Sequence, residues 1–337
     1  MNLTEAVCFD DVLLVPQHSE IDSRKDINLT MSAGGLKLDL PVIAAPMDTV
    51  CGDEMAITMS EYGGLGVIHR HQPLKNQIEM VSRVSYFLHP AFGSIGITSD
   101  YMLDAKKLIA AGAIGLCVDV ANGHNHRALE AVRSIKSEYD VHVMVGNVST
   151  PQGFFDLAYA GADSVRVGIG GGSMCTTRIV TGHGLPTLQS IIDIGEWRKG
   201  NDINCAIIAD GGIRNSGDMV KAFAAGADFI MVGSMLAGTK ESPGEIIDGK
   251  KVFRGMASKS AQEDTRGYIS VVEGAETMIT YKGSARNIIQ DIIGGLRSGC
   301  SYSGVKNLSD LNIFSEMRRV STNSVSENRP HGAYKTI

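Results

Sequence analysis

The chain has 337 residues, 43% hydrophobic and 20% charged, the mixture of a globular protein with a sizeable core and a length that suits one α/β barrel. Its formal net charge of −6, with no basic run longer than Arg318-Arg319, argues against generic binding to nucleic acid or a membrane surface. A local phosphate site stays open, because loops and helix N-termini hold anions without net positive charge.

In chain order, short apolar runs recur, each followed by a helical pattern. They predict strands at Val42–Ala45, Gly66–Ile68, Ser94–Ile97, Gly115–Val120, His142–Val145, Ser164–Val167, Ala206–Ala209 and Phe229–Val232. Eight such units close a parallel (β/α)8 TIM barrel, an architecture that the count favours over a doubly wound sheet. Amphipathic stretches such as Asn125–Tyr139 and Ser216–Ala225 supply the helices. An internal echo marks the helix-to-strand joints: AGAIGL from Ala111, AGADSV from Ala160 and AGADFI from Ala225. Glycine there suits the left-handed position that ends a helix.

After the eighth strand, residues 249–279 break this rhythm with a polar segment, KSAQEDTRGY, read as a flap near the barrel mouth. A polar tail follows from 321 to 337 and includes Arg329-Pro330-His331. The whole chain, 1–337, reads as one catalytic barrel domain without an inserted regulatory domain. The N-terminal MNLTEAVCFDD lacks a basic segment followed by an apolar one, and no apolar stretch approaches membrane-spanning length, so a cytoplasmic chain is expected. The six cysteines lie far apart and form no CxxC pair, so neither a disulfide framework nor a zinc site is expected.

Barrel active sites sit at the C-terminal ends of the strands. That rule selects Asp119, Asn147, the loop GIGGGSMCTTRIVTGHG from Gly168, then Asp210-Gly211-Gly212 and Gly233-Ser234. The last two follow consecutive late strands and suit a phosphate cradle of backbone N–H groups. Gly168, Gly170 and Gly172 alternate, but no third glycine falls at the dinucleotide-fingerprint offset and no clear helix opens, so that reading is set aside. Cys175 differs from the other cysteines. It lies in a polar, glycine-rich loop beside Ser173, Thr176, Thr177 and Arg178, where backbone dipoles and a nearby cation favour thiolate. An inert, packed thiol remains the alternative at this stage.

The stretches CFDDVLLVPQHS, APMDTV, GGLGVIHR, GNVST, GIGGGSMCTTRIVTG, IIADGGIRNSGD, VGSMLAG and GGLRSG, in this order, resemble the IMP dehydrogenase/GMP reductase family over nearly the whole chain. The resemblance implies a purine nucleoside monophosphate substrate, a nicotinamide dinucleotide cofactor and a homotetramer. It implies that Cys175 is the nucleophile at purine C2. Ser173, Asp210, Gly211, Gly212, Gly233, Ser234, Gly255 and Met256 are then the substrate contacts. Asp119, Ala121 and Asn147 serve the cofactor side, and carbonyls of Gly168, Gly170 and Cys175 serve a potassium ion. Gly171 departs from the pattern, which usually has proline there, and Arg70 stands where lysine is more common.

The family runs two reactions through one adduct. FDDVLLVPQHS, TTRIVTG and ENRPHG look more like the dehydrogenase, whereas VDVANG, GMASKSA and the compact flap look more like the reductase. The dehydrogenase's adjacent Arg-Tyr pair is here interrupted as Arg266-Gly267-Tyr268, while Thr177 and Glu273 fit the reductase's proton-handling positions. The expectation is therefore NADPH-dependent reduction of GMP to IMP and ammonia, catalysed by Cys175, Thr177 and Glu273. The alternative is NAD-dependent oxidation of IMP. An FMN-binding barrel oxidoreductase and a non-catalytic nucleotide-binding relative complete the alternatives.

Overall fold

The computed structural model describes residues 3–201 and 203–328. Eight parallel strands close into a barrel: β1 (Val42–Ala44), β2 (Leu65–Ile68), β3 (Phe92–Ile95), β4 (Gly115–Asp119), β5 (His142–Val148), β6 (Ser164–Val167), β7 (Ala206–Asp210) and β8 (Phe229–Val232). Each pairs with its neighbours in chain order, and β8 returns to β1 through Ile230 opposite Val42. Strands covered on both faces read as continuous apolar runs rather than alternating ones, as at β1, β2 and β8, which are buried along their whole length.

All eight expected strands are present. The third begins two residues earlier than the sequence implied, because Phe92 enters the ladder opposite Gly115. A Cβ on Gly115 would lie 2.2 Å from the Phe92 ring, so the glycine makes room for that aromatic. Gly96 and Ile97, expected in the strand, lie beyond its end and lead into the mouth. Between strands, the helix His126–Glu138 is capped by Asn125, whose side chain accepts from Ala128 N at 3.1 Å. The helix Ser216–Ala225 has the bounds expected. The three echoed joints share one geometry: Gly112, Gly161 and Gly226 have φ of +101°, +107° and +113°. An L side chain would strain each of these turns.

A hairpin, Met31–Ala33 with Leu36–Leu38, covers the N-terminal end of the barrel. Its turn lies so close to β6 that a Cβ on Gly34 would sit 1.9 Å from the Asp163 carbonyl oxygen. At the opposite end, the expected flap is an antiparallel pair, Lys250–Arg254 with Glu276–Thr280, enclosing the helix Lys259–Arg266. Met317–Arg319 folds back to pair with Val12–Leu14, so the Arg318-Arg319 run lies on a two-stranded ribbon. Residues 329–337, including Arg329-Pro330-His331, lie outside the described residues. Among the described residues, no helix is long and apolar enough to cross a membrane.

Candidate active site

A cavity of about 490 Å³ opens at the C-terminal ends of the strands. Its floor is made of charge. Arg166, in the middle of β6, is the one cation of an apolar strand and stays 7% exposed. Its Nη1 donates to Asp119 Oδ1 at 2.6 Å, and its Nε and Nη2 donate to Asp210 Oδ2 at 3.1 and 2.9 Å. Asn147 Nδ2 joins at 2.9 Å to Asp210 Oδ2 and 2.8 Å to the Gly168 carbonyl. Arg70 Nε reaches Asp119 Oδ2 at 3.3 Å, and His71 Nε2 lies 3.8 Å from the same oxygen.

Burial alone would raise the Asp119 carboxyl, but the Arg166 charge, with His71 and Arg70 beside it, holds it well below the usual carboxylate range. Burial also works against the Arg166 charge, and Asp210 and Asp119 more than offset it. The floor thus links Asp119 and Asn147 to Asp210 through one buried cation and an amide. Sequence reasoning missed Arg166. The available signal was an arginine in SVRV, because a cation in a buried strand needs carboxylates to meet it.

The lid is made of backbone. The loop that follows β6 and the return limb of the flap form an isolated antiparallel bridge, Cys175 with Gly274. Thr176 N donates to the Glu273 carbonyl at 3.0 Å, and Ala275 N to the Met174 carbonyl at 2.8 Å. Gly274 is required by this approach, since a Cβ there would lie 2.8 Å from Ser258 N. The bridge brings together side chains 96 residues apart. The Cys175 thiol donates to Thr177 Oγ1 at 3.1 Å, and that hydroxyl donates to Glu273 Oε2 at 2.8 Å.

Arg178 does not stand beside the thiol as the sequence implied. Its Nη2 donates to the Leu185 carbonyl at 2.9 Å, and its stem fills the space over Gly170 and Gly184. The loop also opens a short helix after all, Thr177–Thr181, because the Gly182 αL turn stops it after five residues. The other thiols are poor nucleophiles. Burial pushes Cys117 and Cys300 up to about 12, raises Cys51 and Cys205 further, and raises Cys8.

The remaining predicted residues share the same wall: Ala121, Gly168, Gly170, Ser173, Gly255 and Met256, with both late-strand loops. Among the described residues, no backbone oxygen accepts from the amides of Gly211, Gly212, Gly233 or Ser234. Free amides of this kind are what an anion cradle requires. Lys282 Nζ donates to the Ser234 carbonyl at 2.6 Å and the Met235 carbonyl at 3.2 Å, fixing the back of that turn.

The unusual Gly171 has a local cause. A Cβ at that position would lie 2.7 Å from Thr187 Oγ1, a buried hydroxyl without a hydrogen-bond partner. Proline at 171 and threonine at 187 therefore compete for one space. For a monovalent cation, the Gly168 carbonyl has already accepted the Asn147 amide, which leaves it one lone pair. Among the described residues, no group of three or more His, Cys, Asp or Glu could hold a metal ion.

A sequence profile described as the IMP dehydrogenase / GMP reductase domain matches residues 6–331. A GMP reductase of Vibrio atlanticus is 39% identical over 319 residues, covering 90% of this chain and 91% of the relative. An inosine-5′-monophosphate dehydrogenase of Borreliella burgdorferi is 34% identical over 396 residues, covering 98% of each. Another, from Nitrosopumilus maritimus, is 30% identical over 475 aligned positions. That is more positions than this chain possesses, so that relative carries residues with no counterpart here. Among solved structures, a cysteine-to-alanine variant of GMP reductase from Trypanosoma brucei, in complex with guanosine 5′-monophosphate, superposes with a TM-score of 0.92. It is 26% identical, with 98% of each chain covered.

Proposed function

The chain belongs to the IMP dehydrogenase / GMP reductase family of oxidoreductases, and we propose that within it the protein is a GMP reductase. The observation that carries this reading is the thiol–hydroxyl–carboxylate chain Cys175–Thr177–Glu273, which gives a proton a path toward and away from the reacting carbon. Tyr268, of the interrupted Arg-Tyr pair, is 63% exposed and is not among the residues lining the cavity, so it supports no hydrolytic role.

In this reading the phosphate of GMP rests on the amides of Gly211, Gly212, Gly233 and Ser234. Asp210 commits Oδ2 to Arg166 and Asn147, and offers Oδ1 to a ribose hydroxyl. Ser173, Gly255 and Met256 pack around the nucleotide. Glu273 takes the thiol proton through Thr177, and the freed thiolate of Cys175 attacks C2 of the purine. Glu273 then returns a proton through the same hydroxyl to the 2-amino group, which leaves as ammonia while Cys175 remains bonded to C2. Asp119, Ala121 and Asn147 line the same cavity as Cys175 and so would hold NADPH, which supplies the hydride that C2 accepts. Cleavage of the C2–Sγ bond releases IMP and restores the thiolate. Overall, GMP, NADPH and two protons give IMP, ammonium and NADP⁺.

The same cavity supports a second reading, NAD-dependent oxidation of IMP, because dehydrogenase relatives match at similar identity. Incubating the protein with GMP and NADPH, and separately with IMP and NAD⁺, decides between them. Absorbance at the reduced-nicotinamide band should fall in the first mixture. A rise in the second mixture alone overturns the reductase reading. A potassium ion at the carbonyls of Gly168, Gly170 and Cys175, a homotetramer and a cytoplasmic location belong to the same proposal. Turnover titrated with potassium against a large organic cation, and light scattering, test the first two.

A further inference from the structure

We infer that Gln262 is a positioning residue that holds Glu273 against Thr177. The inference rests on the reading of Glu273 as the proton-handling carboxylate. Gln262 lies on the flap helix and is 1% exposed. All of its side-chain polar capacity is directed at the chain around Glu273. Nε2 donates to the Ala257 carbonyl and to the Val271 carbonyl, both at 3.0 Å. Oε1 accepts from Ser270 N and from Ser270 Oγ, both at 2.9 Å.

The Ala257 carbonyl also accepts from Glu273 N at 3.1 Å, so Gln262 and Glu273 hang from one oxygen. Glu273 in turn accepts from Thr176 N through its carbonyl. One uncharged amide therefore closes the loop that ends in the reactive carboxylate, and it does so with two donors and two accepted hydrogen bonds. Only a carboxamide supplies that set: a glutamate would lose both donors, and a leucine or methionine all four links. Among the described residues no salt bridge spans 267–275, so apart from the Thr177–Glu273 contact itself this amide is what ties that limb down by side chain.

An error of about 1 Å at a reacting group can cost on the order of 100-fold in rate, which sets the scale of the expected effect. The test is a double-mutant cycle on the intact protein, with turnover measured in whichever direction the wild type runs. Gln262→Leu should lower kcat by about 10- to 100-fold while KM for the nucleotide stays within about threefold. Ser270→Ala, which removes a single link, should fold like the wild type and lower kcat by less, in the same direction. Both losses should vanish in a Glu273→Gln background, because a residue that acts only through Glu273 has nothing left to position.

Losses that persist in full in that background, or that appear in KM instead of kcat, overturn the inference, as does unchanged kcat in Gln262→Leu. Failure of the reductase reading shows separately, as absence of GMP reduction in the wild type. If Gln262→Leu does not fold, the Ser270→Ala cycle alone decides: a kcat loss that vanishes with Glu273→Gln supports the positioning role, and any other pattern overturns it.

Discussion

The floor and the lid of the cavity are built from opposite materials. The floor joins Arg166, Asp119, Asp210 and Asn147, on strands, with Arg70, in the loop after β2, by charged and amide side chains from segments far apart in the sequence. The lid joins residues 174–176 to 273–275 by backbone hydrogen bonds, with one thiol–hydroxyl–carboxylate chain of side chains laid across it. A buried charge that loses its partner is costly, so the floor couples site geometry to the stability of the whole barrel. A backbone bridge at the rim is outside the core, so the lid can set reactivity with little consequence for folding. In the proposed reading, the proton path lies on the lid, whereas barrel stability rests more on the floor.

The sharpest way to break this division is Cys175→Ala. Turnover should fall by roughly 10⁴-fold or more, while calorimetry shows nucleotide affinity changed by only a few-fold and thermal unfolding unmoved. Retained turnover would remove the covalent step. On the floor the opposite pattern is expected. Arg166→Met leaves Asp210 without its cation and Asp119 with Arg70 as its remaining arginine, and should cost about 3–5 kcal/mol in denaturant unfolding. Unchanged stability there would show that the floor does not support the barrel.

Acid sharpens the same contrast. Burial lowers His69 to about 4, with Arg254 and His71 acting in the same direction and Asp48 against them. The unfolded chain, with an ordinary histidine near 6.5, binds this proton more readily than the native state. Its contribution is therefore complete above about pH 6.5 and is lost as pH falls toward 4, by on the order of 3 kcal/mol. His69→Gln should flatten that part of the stability profile, and an unchanged slope would assign it elsewhere. The smallest effect concerns the loop itself. Gly171→Pro should cost about 1–3 kcal/mol through the contact with Thr187, and most of the cost should disappear in Thr187→Ala. Equal costs in the two backgrounds would refute the competition for space.

Legibility followed the same line. Strand-end positions found Asp119, Asn147, Asp210 and the glycine loops, because a closed barrel places every strand end on one rim. Cys175 stood out by its place in a strand-end loop, its role and those of Thr177 and Glu273 came from motif resemblance, and the separation of 96 residues between Thr177 and Glu273 hid the contact itself. Arg166 and Gln262 were overlooked because one reads as an oddity in a strand and the other as an ordinary polar helix residue. The expected role of Arg178 failed for a related reason: adjacency in a loop says nothing about which way a long side chain turns.

By itself the sequence determined the number and order of the βα units, the left-handed glycines at their joints and the set of residues available at the rim. These depend on local periodicity and backbone sterics, which act over a few residues. Only the tertiary structure decided which of those residues meet. Closure of the barrel sets Arg166 between two carboxylates, and docking of the flap sets Glu273 against Thr177. Both contacts depend on the meeting of segments distant in the chain, where hydrogen-bond geometry is a property of the packed whole.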